Sequence, residues 1–276
     1  MEVFKKKAYL TLLLLLSACS IQSSVSNRYL AAEKLWTDKN YQAAVLQFDQ
    51  IIKENPNSAI ALQALWRASM TRTLFLGEHE EALRGFNTFL ERATSSELAP
   101  QAQKEIGEIY FTKLSQYSKA IDHYQKLILS KKFSSDDEAL FRYRIARSNF
   151  LLNKVKKSIE DDEDLIRNYP KSPPVLKAKI DLGNAWYTLG ETDKLAYSKA
   201  LKIFQDLVLE TQGKTDDESV SIYLQAKFNE AATLEEVDQL EKARDEFQSI
   251  LTRYPAPNVV KIRIYRLEER MKKKRK

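Results

Sequence analysis

From about residue 25 to residue 256, hydrophobic and polar positions recur in one frame: a small residue, a large one four positions later, and an apolar one three further on. Ala44, Phe48 and Ile51 set the frame, and Ala82, Phe86 and Phe89 repeat it. It returns at Ala120, Tyr124 and Leu127, at Ala200, Phe204 and Leu207, and at Ala243, Phe247 and Ile250. One unit keeps it imperfectly, with Ser158, Asp162 and Leu165. The small residues are spaced by 38, 38, 38, 42 and 43 positions. Offsets of four and three place these side chains on one helix face, and the small residue lets a partner helix approach closely. Each unit has a preceding helix with a small residue near its middle: Ala32, Gly107, Ala146, Gly183 and Ala231, with the larger Met70 in the second unit. Pro56, Pro170 and Pro255 fall where second helices must end. The pattern predicts six helix pairs, and a period in this range is the mark of stacked supersecondary units.

This pattern resembles the tetratricopeptide repeat (TPR), a helix-turn-helix unit normally of 34 residues. The resemblance implies an all-α fold, a right-handed superhelical solenoid of about six TPR-like helix pairs plus a C-terminal capping helix. That cap is expected over residues 258–272, an amphipathic stretch, because terminal repeats need a polar outer face. The units are longer than the family norm by about one helical turn. The segment "GETDKLAYS" adds about five residues to the fifth unit, and Asp162 stands where the repeat has an aromatic. Packing around Asp162 is therefore expected to be loosened or supplemented by a salt bridge.

Ahead of the repeats, Lys5, Lys6 and Lys7 precede an apolar run from Ala8 to Leu16 that is too short to span a bilayer. Such a charged start and short apolar core read as an export signal. Leu16-Ser17-Ala18-Cys19 then resembles the bacterial lipobox, which implies a diacylglycerol on Cys19 and cleavage just before it. The chain's only cysteine thus becomes an attachment point, and more than one acyl chain gives stable anchoring. The expected organisation is a signal peptide at 1–18, a lipidated Cys and short tether at 19–26, six repeats at 27–256, and a capping helix with basic tail at 257–276. Ser20, rather than Asp, follows the cysteine, which favours the outer membrane, facing the periplasm. A tether this short reaches about 25 Å.

The formal charge of +6 lies at the ends. Without residues 1–18 and the basic tail from Arg270 on, 35 Lys and Arg face 37 Asp and Glu, so the body offers no general nucleic-acid face. The tail "MKKKRK" reads as solvated, with anionic lipid headgroups as the alternative contact. "EDDED", Glu160 to Asp164, reads as a solvated helix face. His79 belongs to the turn between two helices, and His123 to the outer side of a second helix. Neither has the spacing of a metal site, and no GxSxG, GxGxxG or GxxxxGK[ST] string occurs. The expectation is a non-enzymatic protein without cofactor, metal, nucleic acid or small-molecule substrate.

Partner binding is expected along the concave wall that first helices form in such a fold. Positions four after and three before the small residue supply the candidates Trp36, Phe111, Tyr143, Phe150 and Tyr187, and Arg147 of the same helix as Tyr143 and Phe150 joins them, all expected to be substantially accessible. Aromatic residues and Arg are the usual anchors of interfaces. The segment "YPKSPPVLKAKIDLGNAWYTLG" is similar to the TPR lipoproteins of outer-membrane β-barrel assembly and of the cell-division coordinator group. That resemblance implies a lipid-anchored scaffold for envelope proteins or peptides, with a pilotin-like factor for secretin or pilus assembly as the other reading.

Overall fold

Thirteen helices follow one another along residues 24–274, which this computed structural model describes, and no strand occurs among the described residues. They are α1 (24–37), α2 (Tyr41–Glu54), α3 (Ala59–Thr71), α4 (His79–Arg92), α5 (Ala99–Glu108), α6 (Tyr117–Ser130) and α7 (Ser135–Leu151). After these come α8 (Val155–Asn168), α9 (Val175–Gly190), α10 (Ala196–Thr211), α11 (Asp217–Glu236), α12 (Leu240–Ile250) and α13 (Pro257–Lys274). Side-chain caps start three of the first helices: Ser58, Ser134 and Asp216 accept from the backbone N–H of Ala61, Asp137 and Ser219. Each cap satisfies a donor that the first turn leaves free.

The turns within helix pairs repeat as closely as the helices do. Lys39, Gly77, Ser115, Asn153 and Asp238 all adopt left-handed backbone, with φ between 52° and 71°. Each lies five residues before the small residue of its second helix, namely Ala44, Ala82, Ala120, Ser158 and Ala243. Four of the five are not glycine, so the tight turn is held by the packing of the two helices it joins. The fifth pair lacks this turn, because the added residues of "GETDKLAYS" form a longer connection between α9 and α10.

The described residues divide into two compact units, one ending at Ser115 and the other beginning at Gln116. In the first, Val25 and Ala32 of α1 meet Ala44, Phe48 and Ile51 of α2 and Ala64 and Ala68 of α3. The opposite side of α3 places Leu65 against Ala82, Phe86 and Phe89 of α4 and Ala102 and Ile106 of α5. In the second, consecutive helices pack from α6 to α13, and α9 also touches α7 and α11, so neighbouring first helices lie side by side. All eighteen frame positions are at most 4% exposed. The repeat frame is thus the core of both units.

Several expectations change in detail. Residues 24–26, assigned to the tether, are helical, and Val25 is buried in the first core. In the second pair the small contact is not at Met70: Ser69 faces Gly85, where an added Cβ would lie 2.1 Å from the Ser69 hydroxyl. Two π turns, Arg72–Leu76 and Ile109–Lys113, extend α3 and α5 and help to lengthen these units. Asp162 gains no salt bridge; it is 2% exposed, and its Oδ1 has no hydrogen-bond partner among the described residues.

Candidate functional site

The strongest polar arrangement on the first helices lies in the second unit. Tyr143 and Arg147, one turn apart on α7, both reach Asp181 on α9. The Tyr143 hydroxyl donates to Asp181 Oδ2 at 3.1 Å, and Arg147 Nη1 donates to Oδ1 at 2.8 Å. Asn184, three residues on, lowers the Asp181 carboxyl through its amide, and its Oδ1 accepts from Asn229 Nδ2 of α11 at 2.8 Å. One polar chain therefore links three successive first helices. Burial raises the Asp181 carboxyl above its ordinary range, while the Arg147 charge opposes the shift. Burial also raises the Tyr143 phenol, reinforced by the Asp181 charge, so this hydroxyl stays protonated as a donor.

Above this chain opens a cleft of about 470 Å³, floored by Ile180 and Ile222 and edged by Tyr143, Arg147, Asp217 and Gln225. An ion pair of 3.0 Å between Lys177 and Glu218 lies along its lining. Apolar floor and mixed polar rim suit an extended peptide, whose side chains need burial and whose backbone needs partners.

The six candidates divide between the units. Tyr143, Arg147, Phe150 and Tyr187 lie in the second, and Trp36 and Phe111 in the first. All six are half-buried rather than open, because most of them pack against neighbouring helices. Arg147 also stacks 5.6 Å over Phe150. Tyr187 meets Tyr197 edge-on at 5.3 Å, and its phenol is pushed up to about 12, first by burial and then by Glu236.

Trp36 is enclosed in the first unit. Its Nε1 donates to Thr71 Oγ1 at 3.1 Å, and Arg67, held by Glu33 through two 2.7 Å bonds, stacks 4.7 Å above the ring. Phe75 touches it edge-on at 6.0 Å while stacking on Tyr41 at 4.1 Å. Phe111 lies on the second π turn. Sequence reasoning missed Asp181 and Asn184, although two polar residues in the otherwise apolar run of α9 were a usable signal. It also missed Phe75, which the first π turn leaves 46% exposed.

The acidic run is not a uniform solvated face. Asp161 accepts from Asn149 at 2.8 Å and pairs with Lys157 at 3.0 Å, whereas Asp162 points inward. Burial drives the Asp162 carboxyl well above its ordinary range, with Asp181 and Asp161 adding to the shift. His79 is the first residue of α4, and His123 lies 6.1 Å from the Tyr124 ring. Among the described residues no group of three or more His, Cys, Asp or Glu could hold a metal ion, and no helix is long and apolar enough to cross a membrane. Cys19 and the leucine run lie outside the described residues.

No protein-family model and no curated protein matches the chain. Solved structures match its fold. The quorum sensor NprR from B. thuringiensis superposes with a TM-score of 0.57 at 16% identity, over 87% of this chain and 67% of its own. The type IV pilus biogenesis factor PilW gives 0.53 at 10% identity, over 86% and 97% of the two chains. YrrB, a TPR protein with an unusual peptide-binding site, gives 0.50 at 19% identity, over 77% and 95%. At these identities the likeness is one of fold, and the fold is that of TPR proteins.

Proposed function

We propose that this chain is a lipid-anchored TPR scaffold of the bacterial cell envelope, binding protein or peptide partners along its first helices. The cleft over Tyr143, Arg147 and Asp181 carries the reading, since three first helices converge there on an apolar floor with a fixed polar rim. The peptide-binding site of YrrB, a protein of similar fold, is a precedent for such an occupant. The charged start, leucine run and Cys19 support the anchor, and Ser20 supports the outer membrane, facing the periplasm. No step of this role needs catalysis.

A photocrosslinking residue at Gln225, exposed on the rim, should capture a specific envelope protein in the native cell, while one at Leu209, exposed on α10, should not. Equal capture at both positions, or at neither, defeats the groove assignment. The anchor is tested separately: palmitate labelling should mark the chain, and Cys19→Ala should abolish that label. A pilotin-like role in pilus or secretin assembly is the second reading, favoured by the fold shared with PilW over most of both chains. Capture of a secretin selects it; capture of a barrel insertase or a wall or division enzyme selects the first.

A further inference from the structure

Helix α13 has two faces. Val260, Leu267 and Met271 point inward and join the core formed by Leu224, Leu234, Leu240, Phe247 and Ile250. Arg263 and Arg270 also turn inward, to Glu235 of α11, at 3.1 and 2.8 Å. With its inner side satisfied, the helix leaves Val259, Ile262 and Tyr265 exposed at 47%, 51% and 64%. At 100° per residue these lie on the side away from the core, interleaved with exposed Lys261, Arg266, Lys272 and Lys273. The helix carries seven Lys and Arg against two acids, Glu268 and Glu269, and Glu269 is engaged by Lys272 at 2.9 Å.

We propose that the outer face of α13 docks on an anionic lipid surface. Charge complementarity chooses the occupant: this helix is strongly basic in a chain whose body is close to neutral. The mixture of side chains chooses a bilayer over an acidic protein. Val259 and Ile262 can enter below the headgroups, Tyr265 suits the boundary with its apolar ring and polar tip, and the Lys and Arg stems reach back to phosphate. A convex single helix meets a deformable interface without needing a shaped groove. This contact needs no acyl chain at Cys19 and goes beyond the anchored-scaffold reading.

The test uses the full chain carrying Cys19→Ala and Ile262→Cys, labelled at residue 262 with bimane, so that the signal reports α13 and not the leucine run. Vesicles of phosphatidylglycerol and phosphatidylcholine should shift the emission to the blue, and brominated lipid should quench it; pure phosphatidylcholine should do neither. Adding Lys261→Gln, Arg266→Gln and Lys273→Gln should weaken the partition by about two orders of magnitude, at about fivefold per cation. The same substitution at Lys202, on α10, should leave it unchanged. No shift on anionic vesicles, or a shift that the triple variant does not alter, overturns the proposal. So does a shift with polyglutamate but not with lipid, which would assign the face to an acidic polypeptide.

Discussion

Asp162 of α8 holds in its repeat the place that Phe204 of α10 holds in the next, and the two side chains are 2% and 0% exposed. The aromatic ring fills its slot with apolar contact. The carboxyl brings an oxygen without a hydrogen-bond partner among the described residues. Such a group costs about 1–3 kcal/mol when buried, and a leucine there would add apolar contact instead. Asp162→Leu should therefore raise stability by about 1–3 kcal/mol, read from the midpoint of urea unfolding at unchanged slope. A lower midpoint would mean that the carboxyl has a partner that the packing conceals.

The same residue gives stability a pH dependence of known sign. Burial, then the charges of Asp181 and Asp161, raise the Asp162 carboxyl in the folded chain, and Arg147 only partly opposes them. The folded state thus holds a proton that the unfolded state gives up near the ordinary carboxylate range. This contribution is fully present below that range and is lost as pH rises through the folded value. Asp162→Asn should flatten the fall in thermal midpoint from about pH 4 upward. Exposed carboxylates such as Glu54 and Asp238, lowered by hydrogen bonds from Arg28 and Lys274, act in the opposite sense in both proteins and cancel in the difference.

Gly183 is placed so that an added Cβ would lie 2.4 Å from Cε1 of the Phe204 ring. That ring is fully buried between helices and has little room to move. Gly183→Ala should lower stability by about 1–3 kcal/mol despite the better helix propensity of alanine. The pair Gly183→Ala with Phe204→Leu should recover part of the loss, because the smaller side chain vacates the contact. If Gly183→Ala is neutral or stabilising in urea unfolding, α9 and α10 are not held as closely as described.

Arg147 and Asp181 should be coupled. Removing Arg147 leaves Asp181 buried with only neutral donors, whereas removing Asp181 frees a guanidinium that is a third exposed. A double-mutant cycle of Arg147→Ala and Asp181→Ala should give about 0.5–2 kcal/mol of interaction, discounted for solvent at the arginine. Additive losses would show that the pair is incidental to the stacking of α7 on α9.

The frame of small, large and apolar residues was legible because helix geometry turns spacing directly into burial. Ala44, Phe48 and Ile51 and their counterparts carry that information in residue type alone. The site was less legible because exposure of a first-helix side chain depends on what the neighbouring repeat presents. Trp36 is covered by Arg67, Thr71 and Phe75, contacts made across 31 to 39 positions that no single unit encodes. A π turn moves the register by one residue without any breaker in the sequence, which is why Ser69 and not Met70 meets Gly85. Asp162 was visible as an exception, but its burial without a partner was not, since a salt bridge would leave the same sequence trace.

The last helix should detach before the rest of the second unit unfolds when its polar fastening is removed. Glu235 is 8% exposed and receives Arg263 and Arg270 from one helix on a single carboxylate. Glu235→Ala leaves the two guanidiniums without that acceptor. Because both arginines retain access to water, the loss should be about 1–2 kcal/mol rather than that of a fully buried pair. Leu267→Ala, which removes apolar core from the same helix, should cost about 2–5 kcal/mol. Amide hydrogen exchange separates a local from a global effect. With Glu235→Ala, protection should fall in residues 257–274 and remain in α9 and α10, because the end helix of a stack is covered on one side only. If protection falls equally throughout the second unit, α13 is part of its cooperative core and not a cap upon it.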